Sequence, residues 1–202
     1  MDNSFTKIEE NKPAENEKSE TLTLAEEKEL VSRAKIDQEA FSKLYECYFA
    51  RIYAYVYKRV GHKETVEDLV AEIFTKAFVN IDKFQYRGFS FGAWLYQLST
   101  NHLIDFYRKK AKMKEVELED RHDKGVEDNE INNQIDQKQT NELVQEALKG
   151  LPKKYQEVIL LKFFGQLSNQ EIARVTKQTP NNVGVIVYRS LRKFKKEFIK
   201  YV

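Results

Sequence analysis

The chain has 202 residues with only 7 glycines and 3 prolines, which favours long regular elements over turn-rich β architecture. Hydrophobic residues make up 41% and charged residues 33%, enough for small cores beneath a heavily charged surface. One cysteine excludes an internal disulfide, and the three histidines share no ligand spacing, so we expect no metal and no cofactor. No run approaches the roughly 18 apolar residues of a membrane span, and the N-terminus is acidic, so we expect a cytoplasmic protein without membrane insertion.

The net charge of +2 conceals a segregation of acids and bases along the chain. Acidic residues dominate 1–29 and 115–146. Basic residues form two clusters, one at Arg108, Lys109, Lys110, Lys112 and Lys114 and one at Arg189, Arg192, Lys193, Lys195, Lys196 and Lys200. Two separate basic faces predict two contacts on one polyanion, although either cluster alone is equally typical of a solvated helix face.

The first element in chain order is a disordered acidic tail over 1–23, where no periodic apolar pattern occurs. From Leu24, apolar residues recur every three or four positions and predict helices as far as Gly61, a plausible helix stop. A second amphipathic helix follows around 66–78, and then an aromatic stretch leads into a basic helix ending near Lys112. We expect 24–114 to form one small helical domain.

A flexible acidic linker is predicted over 115–139, since this segment is almost free of large apolar residues and repels itself. The second domain, 140–202, begins with helices around Leu143–Leu151 and after Pro152. The expected fold class is therefore all-α, with two small helical domains joined by the linker.

A helix-turn-helix is predicted over 168–196. Ser168 and Glu171 fit a capping box, which places a helix start at Ser168. Thr179 and Pro180 fit a second start, with threonine as the cap and proline at the first helical position. Two short capped helices at this separation, the second with a basic outer face, are typical of a duplex-reading motif.

These residues resemble bacterial RNA polymerase sigma factors. The segments 41–45 (FSKLY), 67–74 (EDLVAEIF), 84–88 (FQYRG), 93–98 (AWLYQL), 101–105 (NHLID) and 108–110 (RKK) look like the first conserved domain of that family. The segments 151–152 (LP), 167–168 (LS), 170–173 (QEIA) and 182–184 (NVG), followed by Arg189 and 191–192 (LR), resemble its terminal promoter-reading domain. Since no long acidic or middle helical domain fits here, the chain resembles the small extracytoplasmic-function group.

The resemblance implies a transcription initiation factor that binds core RNA polymerase, reads promoter DNA and promotes strand opening. The polymerase clamp, in the largest subunit, would contact Glu67, Asp68 and Glu72. The minus-ten element would be held by Tyr86, Arg87, Asn101, Arg108, Lys109, Lys110 and Lys112. The minus-thirty-five element would be read by Thr179, Asn181, Asn182, Tyr188, Arg189, Arg192, Lys193 and Lys196. An anti-sigma protein is a further partner implied by the family.

The chain departs from the family pattern at two positions. Ala71 stands where the docking motif usually has glutamine, and Val187 stands where a basic residue is frequent. Gly184 matches a family glycine, which suggests a close approach of helix or backbone there. The polar and basic residues around Val187 are therefore expected to make the base contacts.

An alternative is a helix-turn-helix regulator whose N-terminal domain senses a ligand or dimerises and does not bind core polymerase. It predicts tight autonomous duplex binding, whereas a sigma factor alone should bind DNA weakly. We expect no enzyme and no catalytic residue, because no phosphate loop, metal cluster or nucleophile motif is present. His102 beside Asp105 fits a surface pair better than a catalytic base.

Overall fold

The computed structural model describes the backbone of residues 22–120 and 143–201, with side chains for 22–113 and 143–201. Every regular element in these ranges is helical, which confirms the predicted all-α class. The expected tail, apart from its last two residues, and the expected linker beyond residue 120 lie outside the described residues.

The N-terminal domain consists of four helices and one short turn of 3₁₀-helix. They are α1 (Leu24–Ala34), α2 (Gln38–Val60), α3 (Lys63–Asn80), the 3₁₀ turn Ile81–Lys83 and α4 (Phe91–Asp120). A capping box between Thr23 and Glu26 begins α1, and Gly61, with a φ of 82°, ends α2 as predicted. Helix α4 continues past residue 115, where the linker was expected to begin, because lysine, glutamate and leucine are good helix formers.

The C-terminal domain contains the predicted helix-turn-helix. It consists of α5 (143–149), α6 (Lys153–Ile159) with its π-helical continuation Leu160–Phe164, α7 (Asn169–Val175) and α8 (Pro180–Phe198). Both predicted caps are present, since Ser168 and Glu171 bond reciprocally and the Thr179 side chain accepts from the backbone of Asn182. The start and end of the motif thus follow from local capping chemistry.

Side chains from both domains form one continuous buried cluster. Its N-terminal part includes Leu44, Ile52, Tyr55, Val66, Ile73, Leu95 and Leu103, and its C-terminal part includes Leu160, Leu161, Ile172 and Val183. Helix α4 packs against α7, and α2 packs against the π-helical turn. The domains therefore lie against each other. Within the described ranges, no helix combines the length and apolar character that crossing a bilayer requires.

Candidate nucleic-acid interface

Helix α8 presents one exposed polar face. Val183, Ile186 and Ser190 are buried on its opposite side. All eight residues predicted to read the upstream element are exposed, namely Thr179, Asn181, Asn182, Tyr188, Arg189, Arg192, Lys193 and Lys196. Asparagine and arginine suit base edges in the major groove, and lysine suits phosphates, so this face has the composition of a recognition helix.

The valines of α8 differ in their exposure. Val187, at the position where the family pattern often has a basic residue, is half-buried against the core. Val185 is instead 46% exposed and lies one helical turn before Tyr188 and Arg189. Val185 is therefore an apolar residue that α8 exposes among its polar side chains.

Gly184 has open space around it. A Cβ placed there would lie 3.8 Å from the Asn169 amide nitrogen, which is ordinary van der Waals contact. Among the residues that the structure describes, the close approach expected at this glycine is therefore not found.

The loop 84–90 and the start of α4 form an aromatic pocket. This pocket of about 230 Å³ is lined by Lys83, Phe84, Gln85, Arg87, Phe89 and Trp94. Phe84 packs edge-on against Phe89 with ring centroids 6.0 Å apart and is tilted 46° against Trp94 at 5.3 Å. Aromatic walls beside lysine and arginine suit an unstacked base and its phosphate.

A buried carboxylate holds this loop in place. Glu27 of α1 is 4% exposed and accepts hydrogen bonds from the backbone N–H of Phe91, at 2.9 Å, and from the Tyr48 and Tyr86 hydroxyls. The acid thus lies at the N-terminus of α4, where the helix dipole favours negative charge. Burial and the Glu27 carboxylate raise the pKa of Tyr86. Tyr86, predicted as a DNA contact, is half-buried and anchors the loop through its hydroxyl.

The remaining predicted minus-ten residues are all exposed on α4. These are Asn101, Arg108, Lys109, Lys110 and Lys112. Helical periodicity places Asn101, Arg108 and Lys112 on one face and turns Lys110 to the opposite side. Arg108 also pairs with Asp105 at 3.1 Å. The helix thus offers a basic stripe to a phosphate backbone.

Helix α3 exposes the predicted polymerase contacts. Glu67 and Asp68 are exposed, while Glu72 contacts the buried His102 of α4, with Oε2 and Nε2 2.9 Å apart. Ala71 is exposed between them. All three acids are therefore exposed, and Glu72 also braces α3 against α4. Among the described residues, no group of three or more His, Cys, Asp or Glu side chains could hold a metal ion.

Two family models match the two domains. The model for Sigma-70 region 2 matches residues 44–113, and the model for Sigma-70 region 4 matches 141–194. The ECF RNA polymerase sigma factor SigW of Bacillus subtilis is 31% identical over 176 residues, which cover 81% of this chain and 91% of SigW. The chain belongs to the extracytoplasmic-function sigma factors. It is therefore a transcription initiation factor, as predicted, and the ligand-sensing regulator is not favoured.

Other relatives agree with this family. The sigma factor BldN of Streptomyces coelicolor is 33% identical over 165 residues, but this chain spans only 62% of its length. Two solved structures share the fold: CnrH with the cytosolic domain of CnrY (TM-score 0.61, 20% identity, 84% and 95% of the two chains) and RpoE with the anti-sigma factor NepR from Bartonella quintana (TM-score 0.63, 18% identity, 79% and 96%).

Sequence reasoning missed several residues that shape the surfaces of this sigma factor. Glu27 reads as an ordinary surface acid, since its neighbours on α1 are charged and exposed. Its burial depends on Tyr48, Tyr86 and the start of α4, all remote in sequence. Val185 could have been found from the helical period, because it lies off the stripe of Val183, Ile186 and Ser190.

Proposed function

We propose that this sigma factor divides promoter binding between its two domains. Region 2, with bounds near 24–114, would take the minus-ten element, and region 4, over 140–202, would read the minus-thirty-five element. The observation that carries the proposal is the aromatic pocket of loop 84–90 beside the basic stripe of α4, in the same chain as an exposed recognition helix. Stacking on aromatic rings stabilises an unpaired base by roughly 1–3 kcal/mol, which assists strand opening without any fuel.

The proposed polymerase contact is the exposed surface of α3 over residues 67–72. Glu67, Asp68 and Glu72 present carboxylates on one side of this helix, and the family resemblance assigns that side to the clamp of the largest polymerase subunit. We further propose that the protein has no catalysis of its own, works in the cytoplasm where core polymerase is found, and has an anti-sigma partner. The structural relative RpoE, solved with the anti-sigma factor NepR, supports such a partner.

Two double variants, one on α8 and one on α3, test the proposed assignment of the DNA-binding and polymerase-binding surfaces. Run-off transcription is measured with core polymerase and a promoter library, alongside core binding by gel filtration. Arg189→Glu with Arg192→Glu should abolish selection of the upstream element and leave core binding intact, because these side chains are exposed on α8. Glu67→Lys with Asp68→Lys should weaken core binding and leave duplex binding by region 4 intact. If both pairs lose core binding, the assignment of the two surfaces is wrong.

A further inference from the structure

Helix α1 contacts the loop 84–90 at both of its ends. Where the loop ends and α4 begins, Glu27 accepts a hydrogen bond from the backbone N–H of Phe91 at 2.9 Å. Where the loop begins, the Lys35 ammonium donates to the backbone carbonyl of Phe84 at 2.9 Å. Because both contacts come from one regular helix, they fix the separation between the two ends of the loop.

Gly92 lets α4 begin within reach of the Glu27 carboxylate. Its backbone N–H lies 3.4 Å from Oε2 of Glu27, which also accepts from the Tyr48 hydroxyl. A Cβ on Gly92 would lie 2.8 Å from Cε1 of the Tyr48 ring. A side chain at this position would therefore push the start of α4 away from α2 and from the carboxylate.

The middle of the loop is held through Tyr86. Its hydroxyl donates to Oε1 of Glu27 at 3.2 Å, and the Lys28 ammonium lies 5.5 Å from the centre of its ring. Phe84, which forms a wall of the aromatic pocket, packs edge-on against Tyr86 with ring centroids 4.8 Å apart. The position of Tyr86 therefore helps to set the position of this wall.

The Glu27 side chain uses both of its oxygens as acceptors. Oε1 accepts from Tyr86 and Phe91, and Oε2 accepts from Tyr48 and Gly92. A glutamine would fill the same space, but its NH₂ group would face donors at one of these two positions. Since a buried donor without an acceptor is costly, the contacts on that side would be lost.

We infer that α1 is a positioning helix for capture of the minus-ten element, with Glu27 as the residue that preorganises the aromatic pocket. This inference rests on the proposed assignment of that pocket to an unpaired base. Glu27 is 4% exposed, so it acts on DNA through Tyr86 and the start of α4 and not by touching DNA. A pocket whose walls are already ordered binds a base without the cost of ordering them.

The single tryptophan of the chain tests the positioning role without DNA. Trp94 lines the aromatic pocket beside Phe84 and Phe91, so acrylamide quenching of its fluorescence measures how open the pocket is. In the free full-length chain, Glu27→Gln should raise the quenching constant roughly twofold, because the loop opens locally. The matched control Glu29→Gln, at an exposed acid of α1, should leave it unchanged. Equal quenching in the two variants would overturn the positioning role of Glu27.

Lys35→Met gives a second test at the other end of the loop. It removes the ammonium that donates to Phe84 and keeps an unbranched side chain, so it should fold even if Glu27→Gln does not. The matched control Lys43→Met removes an exposed lysine of α2. Trp94 quenching should rise in Lys35→Met and not in Lys43→Met, and equal quenching in this pair would overturn the role of α1.

Binding of single-stranded DNA tests the functional consequence. The probe is a single strand that carries the minus-ten sequence of a promoter chosen from the library. Holoenzyme with Glu27→Gln should bind it roughly tenfold more weakly than holoenzyme with Glu29→Gln, because the pocket must first be ordered. Affinity for the minus-thirty-five duplex and for core polymerase should be the same in both.

The outcomes separate positioning from general stability. Equal affinity of the two variants for the single strand, or a parallel loss of single-strand, duplex and core binding in Glu27→Gln, would overturn the inference. If wild-type holoenzyme does not bind the single strand, the proposed function of the pocket is wrong, while Trp94 quenching still decides whether α1 holds the loop.

Discussion

Val185 is an exposed apolar side chain among the polar residues of the recognition surface. It follows Asn181 and Asn182 by one turn of α8 and precedes Tyr188 and Arg189, all of them exposed. In the major groove, the apolar group that distinguishes one base from the others is the C5 methyl of thymine. We therefore expect Val185 to select thymine at one or two positions of the minus-thirty-five element.

Replacing thymine by deoxyuridine removes only that methyl group. Promoters chosen from the library are substituted one thymine at a time, and binding of the holoenzyme is measured. We expect wild type to lose about threefold to fivefold in affinity at the contacted position, as burial of one methyl contributes roughly 0.8 kcal/mol. Val185→Ala should be insensitive to the same substitution, whereas Ile199→Ala, an exposed residue beyond the end of α8, should respond like wild type. If removal of the thymine methyl lowers the affinity of Val185→Ala as much as that of Ile199→Ala, Val185 does not contact thymine.

At the scale of elements, His102 links α4 to α3. Its Nδ1 lies 2.6 Å from the Lys76 ammonium and its Nε2 lies 2.9 Å from Glu72, with Asp105 also nearby. Burial, with the positive charge of Lys76, lowers the pKa of His102 below its ordinary value against the opposing influence of Glu72 and Asp105. The folded protein therefore keeps this imidazole neutral at pH values where the unfolded chain protonates it.

This shift predicts a loss of stability in mild acid. The contribution of His102 to the free energy of unfolding is fully present above the ordinary histidine pKa of about 6.5. It declines as the pH falls below that value, because the unfolded state then binds a proton that the folded state does not. Urea unfolding of the wild type between pH 7 and pH 5 should show this decline. His102→Gln should reduce the dependence of the free energy of unfolding on pH. His62→Gln, at an exposed histidine before α3, should retain the wild-type dependence. Equal slopes in wild type and His102→Gln would contradict the role of His102.

The space around Gly165 is crowded, whereas the space around Gly184 is open. A Cβ on Gly165 would lie 2.6 Å from the backbone oxygen of Leu161 and 3.2 Å from the Tyr96 ring, where the π-helical turn meets α4. We expect Gly165→Ala to lower the free energy of unfolding by about 1–3 kcal/mol through overpacking. Gly184→Ala adds a Cβ in open helical space and should raise it by about 0.5–1 kcal/mol. Denaturant titrations measure both, and changes of the same sign would be inconsistent with this packing.

These elements show which features can be predicted from sequence. The caps at Ser168 and Thr179 are local, since each depends on residues within one helical turn, and both were predicted. The burial of Glu27 and the contact of Arg174 with Phe89 join residues more than sixty positions apart. Such long-range contacts leave no periodic signal in the chain, so the sequence did not predict the contact between the two domains.

At the scale of the whole molecule, the proposed assignment requires the two DNA-binding surfaces to lie about 85 Å apart, the length of 25 base pairs of B-form DNA, when both promoter elements are bound. Residues 121–142 join the domains, and a chain of that length reaches at most roughly 80 Å when fully extended. Each domain of this size adds roughly 10–15 Å from its centre to its surface. The linking residues and the two domain radii together therefore span more than 85 Å, which is enough to reach both elements. The arrangement in which the domains lie against each other needs a much shorter linking segment.

A shorter tether should therefore impair initiation selectively. Deleting residues 126–135 limits the reach to roughly 45 Å, which with the two domain radii falls short of 85 Å. We expect the shortened chain to fold, to dock its domains and to bind core polymerase, but to initiate at least tenfold less in run-off transcription on promoters that carry both elements. Replacing the same ten residues with a glycine and serine sequence preserves the length and should retain activity. This control distinguishes the effect of linker length from the effect of the residues deleted. If the shortened chain initiates as well as the replaced one, the two domains do not need the calculated separation on the promoter.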